Sequence, residues 1–167
     1  MAVMYANALY RRGFVQEGWK ALKTLADTAL DFDTSRIYPG IPEYFRADGR
    51  GMYHYLTGAA SWYMMTMITQ VFGVRGEAGD LLLQPKLTAA QFDAEGSASV
   101  HVTFAGRRLE IRCQNPGRLE YGQYRVQKVL CGDAELCAGS CDSVIIPRRV
   151  IEALPAEQKQ VFTVYLG

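Results

Sequence analysis

The feature that most limits the fold is a change of hydrophobic period part-way along the chain. Up to about residue 72 apolar residues recur at helical spacing, and beyond about residue 80 they recur at every second position. Val3, Met4, Ala6, Leu9 and Tyr10 predict a helix over 2–12, ended by Gly13. Val15, Trp19, Leu22, Leu25, Ala26 and Ala29 predict a second over 14–30, so the two read as an antiparallel helical hairpin with a very short turn. A loop rich in turn formers, DFDTSRIYPGIPEYFRADGRG, leads to a third helix over 58–72, stopped by Gly73. In the second half LLLQPKL (81–87) is a short strand broken by Pro85. SASVHVTF (97–104) and RRLEIRC (107–113) flank Ala105-Gly106 and read as a hairpin. YRVQKVL, SVIIP and QVFTVYL add strands, with one or two helical turns at 148–154. The expected class is α+β: helices in residues 1–75, then an antiparallel, β-sandwich-like domain in 76–167, with the boundary in GVRGEAGD.

The third helix is unusual. Trp62, Tyr63, Met64, Met65, Met67, Ile68, Val71 and Phe72 make it apolar nearly all round. Such a helix is expected to be buried on every side. Two helices and a small sheet do not suffice to cover it. The expectation is a piece of a larger assembly, completed by an N-terminal portion or by a second copy.

Composition narrows the function classes. The 167 residues carry a formal net charge of +1, so neither nucleic acid nor an acidic membrane surface is an expected partner. The stretch 62–72 is too short to span a bilayer, and MAVMYANALYRRGF lacks the pattern of a secretory signal, so the expected location is the cytoplasm. Cys113, Cys131, Cys137 and Cys141 form no pair of metal-ligand pairs, and His54 and His101 are distant in sequence, so reduced thiols and no metal are expected.

The segment YPGIPEYF, GRG and YLTGAASWY, followed by VFGVRGEAGDLLLQPKL, FAGRRLEI and CQNPG, resembles the C-terminal part of inverting glycoside phosphorylases. The group is that of cellobiose phosphorylase, glycoside hydrolase family 94, and the 1,2-β-oligoglucan phosphorylase branch is the nearest in these motifs. The resemblance covers essentially the whole chain. It implies the last helices of an (α/α)6 barrel followed by a small β-domain. It also implies phosphorolysis or synthesis of β-glucosides, with inorganic phosphate as a substrate and no cofactor. The implied ligands are a β-glucan oligosaccharide and phosphate or glucose 1-phosphate.

An inverting phosphorylase needs an acid for the leaving oxygen and a cradle for phosphate, which takes the place of a base-activated water. Free N–H groups at a helix N-terminus form such a cradle. By the resemblance Thr57 and Gly58 contact phosphate, and Ala59 and Ala60 keep the first helical turn bare. Family members often carry Thr or Ser at the position of Ala59, so one hydroxyl donor is absent. The competing reading is an ordinary N-cap followed by small residues that permit close helix packing. Glu43, in IPEYF, matches a loop that touches the sugar, and a carboxylate suits hydroxyl donors. Tyr44 and Phe45 either stack on a sugar ring or anchor the loop, while Arg50 and His54 are weaker candidates for the anion. No catalytic residue is nominated: the family's general acid is an aspartate in an earlier barrel motif, which Asp27, Asp31, Asp33 and Asp48 do not match. The chain alone is therefore expected to be inactive. An alternative is a non-catalytic carbohydrate-binding or interaction module, with Tyr121 and Tyr124 as exposed aromatics.

Overall fold

The computed structural model describes residues 2–37, 40–53 and 58–167. It divides into two compact units, Met1–Met67 and Ile68–Gly167. The class is mixed helix and sheet, as the change of period predicts.

In the helical unit α1 (Ala2–Arg11) and α2 (Val15–Leu30) form the hairpin, turning at Gly13. Their apolar stripes bury Val3, Ala6, Tyr10, Val15, Leu22 and Ala29. The helices meet closely at Gly18, where an added Cβ would lie 2.7 Å from the Tyr10 ring. A short helix, α3 (Phe32–Ser35), follows, capped by Asp31 Oδ1, which accepts from the Thr34 amide. The two-residue strands β1 (Tyr44–Phe45) and β2 (Gly51–Met52) pair antiparallel around the ADGR turn. Then comes α4 (Gly58–Thr66). It is tied to α1 by a buried hydrogen bond from Asn7 Nδ2 to Thr66 Oγ1, 3.0 Å.

One expectation for this segment is corrected. The α-helix ends at Thr66, and a wider π-helical turn, Met67–Val71, carries the chain on to Gly73. The chain does not enclose α4: Met64 is 61% and Met65 40% exposed, and Thr66 is its one buried residue. Within the unit α4 packs chiefly on α1.

The β unit holds two sheets. β3 (Val74–Glu77) and β4 (Asp80–Leu83) form a hairpin where the sequence suggested a linker. Its turn is Ala78-Gly79, both at positive φ, the conformation that fits the twist of a two-residue hairpin. β5 (Ser97–Phe104) and β6 (Arg107–Gln114) form the expected hairpin about Ala105-Gly106. β7 (Val126–Cys131) pairs with β8 (Ala134–Cys141), a strand the sequence reading missed. β9 (Val144–Ile146) adds to β4 and is followed by α5 (Arg148–Glu152). Asp80 Oδ1 accepts from the Arg148 amide at the start of α5, 2.8 Å. β10 (Gln160–Leu166) completes the five-stranded order β5-β6-β10-β7-β8.

The expectation of a wholly antiparallel domain is corrected by β10. It runs antiparallel to β7 but parallel to β6. A parallel neighbour requires a crossover, not a tight turn. Here the path back includes β9 and α5, and Arg107 straps it down by donating to the Leu154 and Glu152 carbonyls at 2.6 and 2.5 Å. Leu109, Ile111, Cys113, Val129, Phe162 and Val164 are buried on alternate positions, as period-2 strands dictate.

Candidate functional site

Three of the nominated residues line one small cavity in the helical unit. Gly58 and Ala59 open α4 and line a space of about 110 Å³ with Val3, Met4, Glu43 and Trp62. That volume holds a few waters or one small anion. The first N–H groups of a helix have no intrahelical acceptor and carry the positive end of its dipole. Thr57, the fourth nominated residue here, lies outside the described residues, as does His54.

Close packing does not account for Gly58. Among the described residues a Cβ added there would meet only Trp62 of its own helix, at an ordinary 3.7 Å. Gly18 shows what a packing glycine looks like, with the Tyr10 ring in the way. Among the described residues there is room beside Gly58 at the start of α4.

Glu43 also lines a larger cavity of about 410 Å³, with Ala2, Leu25, Tyr44 and Phe45. Its backbone extends the β1–β2 pairing, since the Glu43 amide donates to the Tyr53 carbonyl at 3.1 Å. The Tyr44 ring is 49% exposed and lies 6.1 Å from the Tyr53 ring, tilted by 42°. Tyr44 is therefore an open aromatic face, while Phe45 is half-buried and anchors the loop. Glu43 is the one carboxylate lining either cavity among the described residues, and neither is lined by Lys, Arg or His. An anion placed in the smaller one would have backbone amides as its donors, and the Glu43 carboxylate supplies only acceptors.

The remaining polar candidates of this unit have local roles. Arg50 is exposed in the β1–β2 turn, its amide bonded to Asp48 Oδ1, and it lines neither cavity. Asp27 pairs with Lys23 at 2.5 Å, Asp48 with Arg46 at 3.0 Å, and Asp31 caps α3. Burial, with the charge of Asp27 adding to it, raises the pKa of Tyr63 on α4.

The β unit contains a charged cluster that the sequence reading did not find. Glu110 points to the face of β6 opposite Leu109 and Ile111. Its carboxylate accepts from Lys159 Nζ at 2.5 Å and from Arg112 Nη2 and Nε at 2.5 and 3.0 Å, with His101 Nε2 3.4 Å away. It is covered by these partners rather than sunk among apolar atoms. The Lys159 hydrogen bond first, and then that of Arg112, lower its pKa from 4.5 to about 2. A cavity of about 360 Å³ lies alongside, lined by His101, Thr103, Arg108 and Lys159 among others. Alternation in RRLEIRC placed Glu110 opposite the apolar face, but nothing local marked Lys159 as its partner.

The expectation of an exposed Tyr124 is corrected. Tyr124 is buried, and its hydroxyl accepts from the Leu87 amide at 2.7 Å and donates to the Leu87 carbonyl at 2.9 Å. Tyr121 is 37% exposed. All four cysteines are free thiols, and burial pushes that of Cys113 up to about 12. Among the described residues there is no group of three or more potential metal ligands, and no helix long and apolar enough to cross a membrane.

In comparisons with known proteins, no protein-family model and no curated protein matches the chain.

Proposed function

We propose that the helical unit carries the phosphate end of a glycoside phosphorylase site, within the last helices of an (α/α)6 barrel whose C-terminal domain is the β unit. The reaction would be phosphate-dependent cleavage or synthesis of 1,2-linked β-glucooligosaccharides. Phosphate attacks the anomeric carbon, the glycosidic C–O bond breaks, and an acid protonates the departing oxygen. The observation that carries this reading is the sharing of Glu43 by two cavities of unequal size. The smaller is bounded by the first turn of α4 and has the capacity for one tetrahedral anion. The larger falls within the range of small-molecule pockets and presents Tyr44.

Charge fixes the order of the two ligands. A carboxylate repels a phosphate dianion, so Glu43 belongs to the sugar, accepting from hydroxyls at the boundary. None of the aspartates in the helical unit lines either cavity among the described residues, so the acid is assigned to earlier barrel helices. Acid catalysis contributes about 10²–10⁴-fold. The 167-residue chain should therefore bind ligand without turning it over.

The test is an NMR titration of the chain with orthophosphate and with glucose 1-phosphate, read at the Gly58 and Ala59 amides. Both ligands should shift these amides, and Glu43→Gln should weaken glucose 1-phosphate by about tenfold, as expected for one charge-assisted hydrogen bond. Orthophosphate should bind that variant equally well or more tightly. Silence at Gly58 and Ala59 with both ligands rejects the phosphate site. Phosphate release from glucose 1-phosphate and sophorose by this chain would show that the acid is misassigned. A second reading, a non-catalytic carbohydrate-binding module, is favoured by a different cavity in the β unit.

A further inference from the structure

The β unit contains a polar cavity of about 270 Å³ between the turn preceding β7 and the segment joining β8 to β9, lined by Tyr121, Gly122, Arg125, Asp142 and Gln84 among others. We infer that this cavity binds a neutral pyranose unit, with the Tyr121 ring as its platform and Arg125 and Asp142 as its hydroxyl partners. The inference stands independently of the phosphorylase reading.

Charge argues for a neutral ligand. The cavity's one cation and one anion are paired, Arg125 Nε to Asp142 Oδ1 at 3.3 Å. Their charges offset each other, so neither a phosphate nor an amine gains a net partner. That pair uses one nitrogen and one oxygen. Among the described residues the terminal guanidinium nitrogens and Asp142 Oδ2 have no protein partner. They offer four N–H donors and a carboxylate acceptor, the complement of vicinal hydroxyls, which both give and take hydrogen bonds.

The aromatic wall is held in place. Tyr121 meets Tyr124 edge-on, with ring centroids 6.2 Å apart and planes at 80°. Tyr124 is itself fixed by its two bonds to Leu87. The Arg125 backbone exchanges two 3.1 Å hydrogen bonds with Gly167, which sets where its side chain leaves the chain. Gly122, at φ +92°, lines the cavity with nothing within 4 Å of where a Cβ would lie. An aromatic wall held in this way lowers the ordering cost of binding.

The experiment is a two-dimensional amide NMR titration of the full chain with glucose and with sophorose. Amides within 121–126 and at 142 should shift, and Tyr121→Ala and Asp142→Asn should each weaken binding by about tenfold. Both side chains are solvent-exposed, and each variant's unperturbed spectrum elsewhere serves as the check on folding. No shift in this cavity with either sugar overturns the inference, as does binding that survives both variants unchanged. Shifts confined to residues 43–45 and 58–62 also overturn it while leaving the phosphorylase reading intact. Shifts confined to 121–126 and 142 support this site and count against that reading.

Discussion

Glu110 shows how a single residue sets a pH response. Its folded-state pKa is depressed to about 2 from an ordinary 4.5, mainly by the Lys159 and Arg112 hydrogen bonds. A depressed carboxylate stabilises the fold above its unfolded value, and that contribution disappears as pH falls towards the folded one. The β unit should therefore lose stability between about pH 4.5 and about pH 2. Urea denaturation at stepped pH should show the loss in the native chain, and Glu110→Gln should remove that component. An unchanged slope in the variant would mean that the cluster is not coupled to folding. His101 is the most distant of the partners, mostly exposed and 3.4 Å from the carboxylate. The sequence revealed the side of the strand on which Glu110 stands, because alternation is a local property. It hid Lys159, which reaches that strand only once β10 has docked.

Among the elements, the α1–α2 hairpin depends on one close approach. Replacing Gly18 by alanine would ordinarily favour a helix by about 1 kcal/mol. Here the new Cβ would stand 2.7 and 2.8 Å from two atoms of the Tyr10 ring, which is wholly buried. Overpacking of that kind costs about 1–3 kcal/mol, so it should outweigh the propensity gain. Gly18→Ala should unfold at lower denaturant when followed by far-UV circular dichroism; a stabilised variant would refute the close packing. Elements with strong periodicity were legible in advance: α1, α2 and the β5–β6 hairpin all follow their apolar spacing. β3 was not, because Val74-Arg75-Gly76-Glu77 has a single apolar residue and owes its pairing to β4. β8 was not, because AELCAGSC lies at a sheet edge with mostly small side chains and buries none of them fully. The candidate site was legible in part for a similar reason. The family resemblance nominated Glu43, Gly58 and Ala59 separately, whereas their common cavity arises from tertiary packing.

At the scale of the whole chain the two units differ in self-sufficiency. Nine of the eleven large apolar side chains exposed among the described residues belong to the helical unit, Tyr121 and Ile145 being the others. The β unit, by contrast, buries a continuous set from Val71 to Leu166. Residues 68–167 expressed alone should therefore fold cooperatively and give a dispersed amide spectrum. The full chain should self-associate as concentration rises, because exposed apolar surface of this extent seeks cover. Light scattering should show that association weakened in a Met64→Lys, Met65→Lys variant. A strictly monomeric chain at every concentration would show that the helical surface is tolerated by water.

The parallel pairing of β10 with β6 also governs the order of events in time. Hairpins such as β5–β6 and β7–β8 join neighbouring segments, and such ribbons close within microseconds. The strand that must lie between them begins only at Gln160, long after β6 ends at Gln114. Until it arrives, each ribbon presents an unpaired edge to any other chain nearby. Refolding of the β unit should therefore be limited by this late insertion, over milliseconds to seconds, and crowding during that interval is when misassembly competes with it.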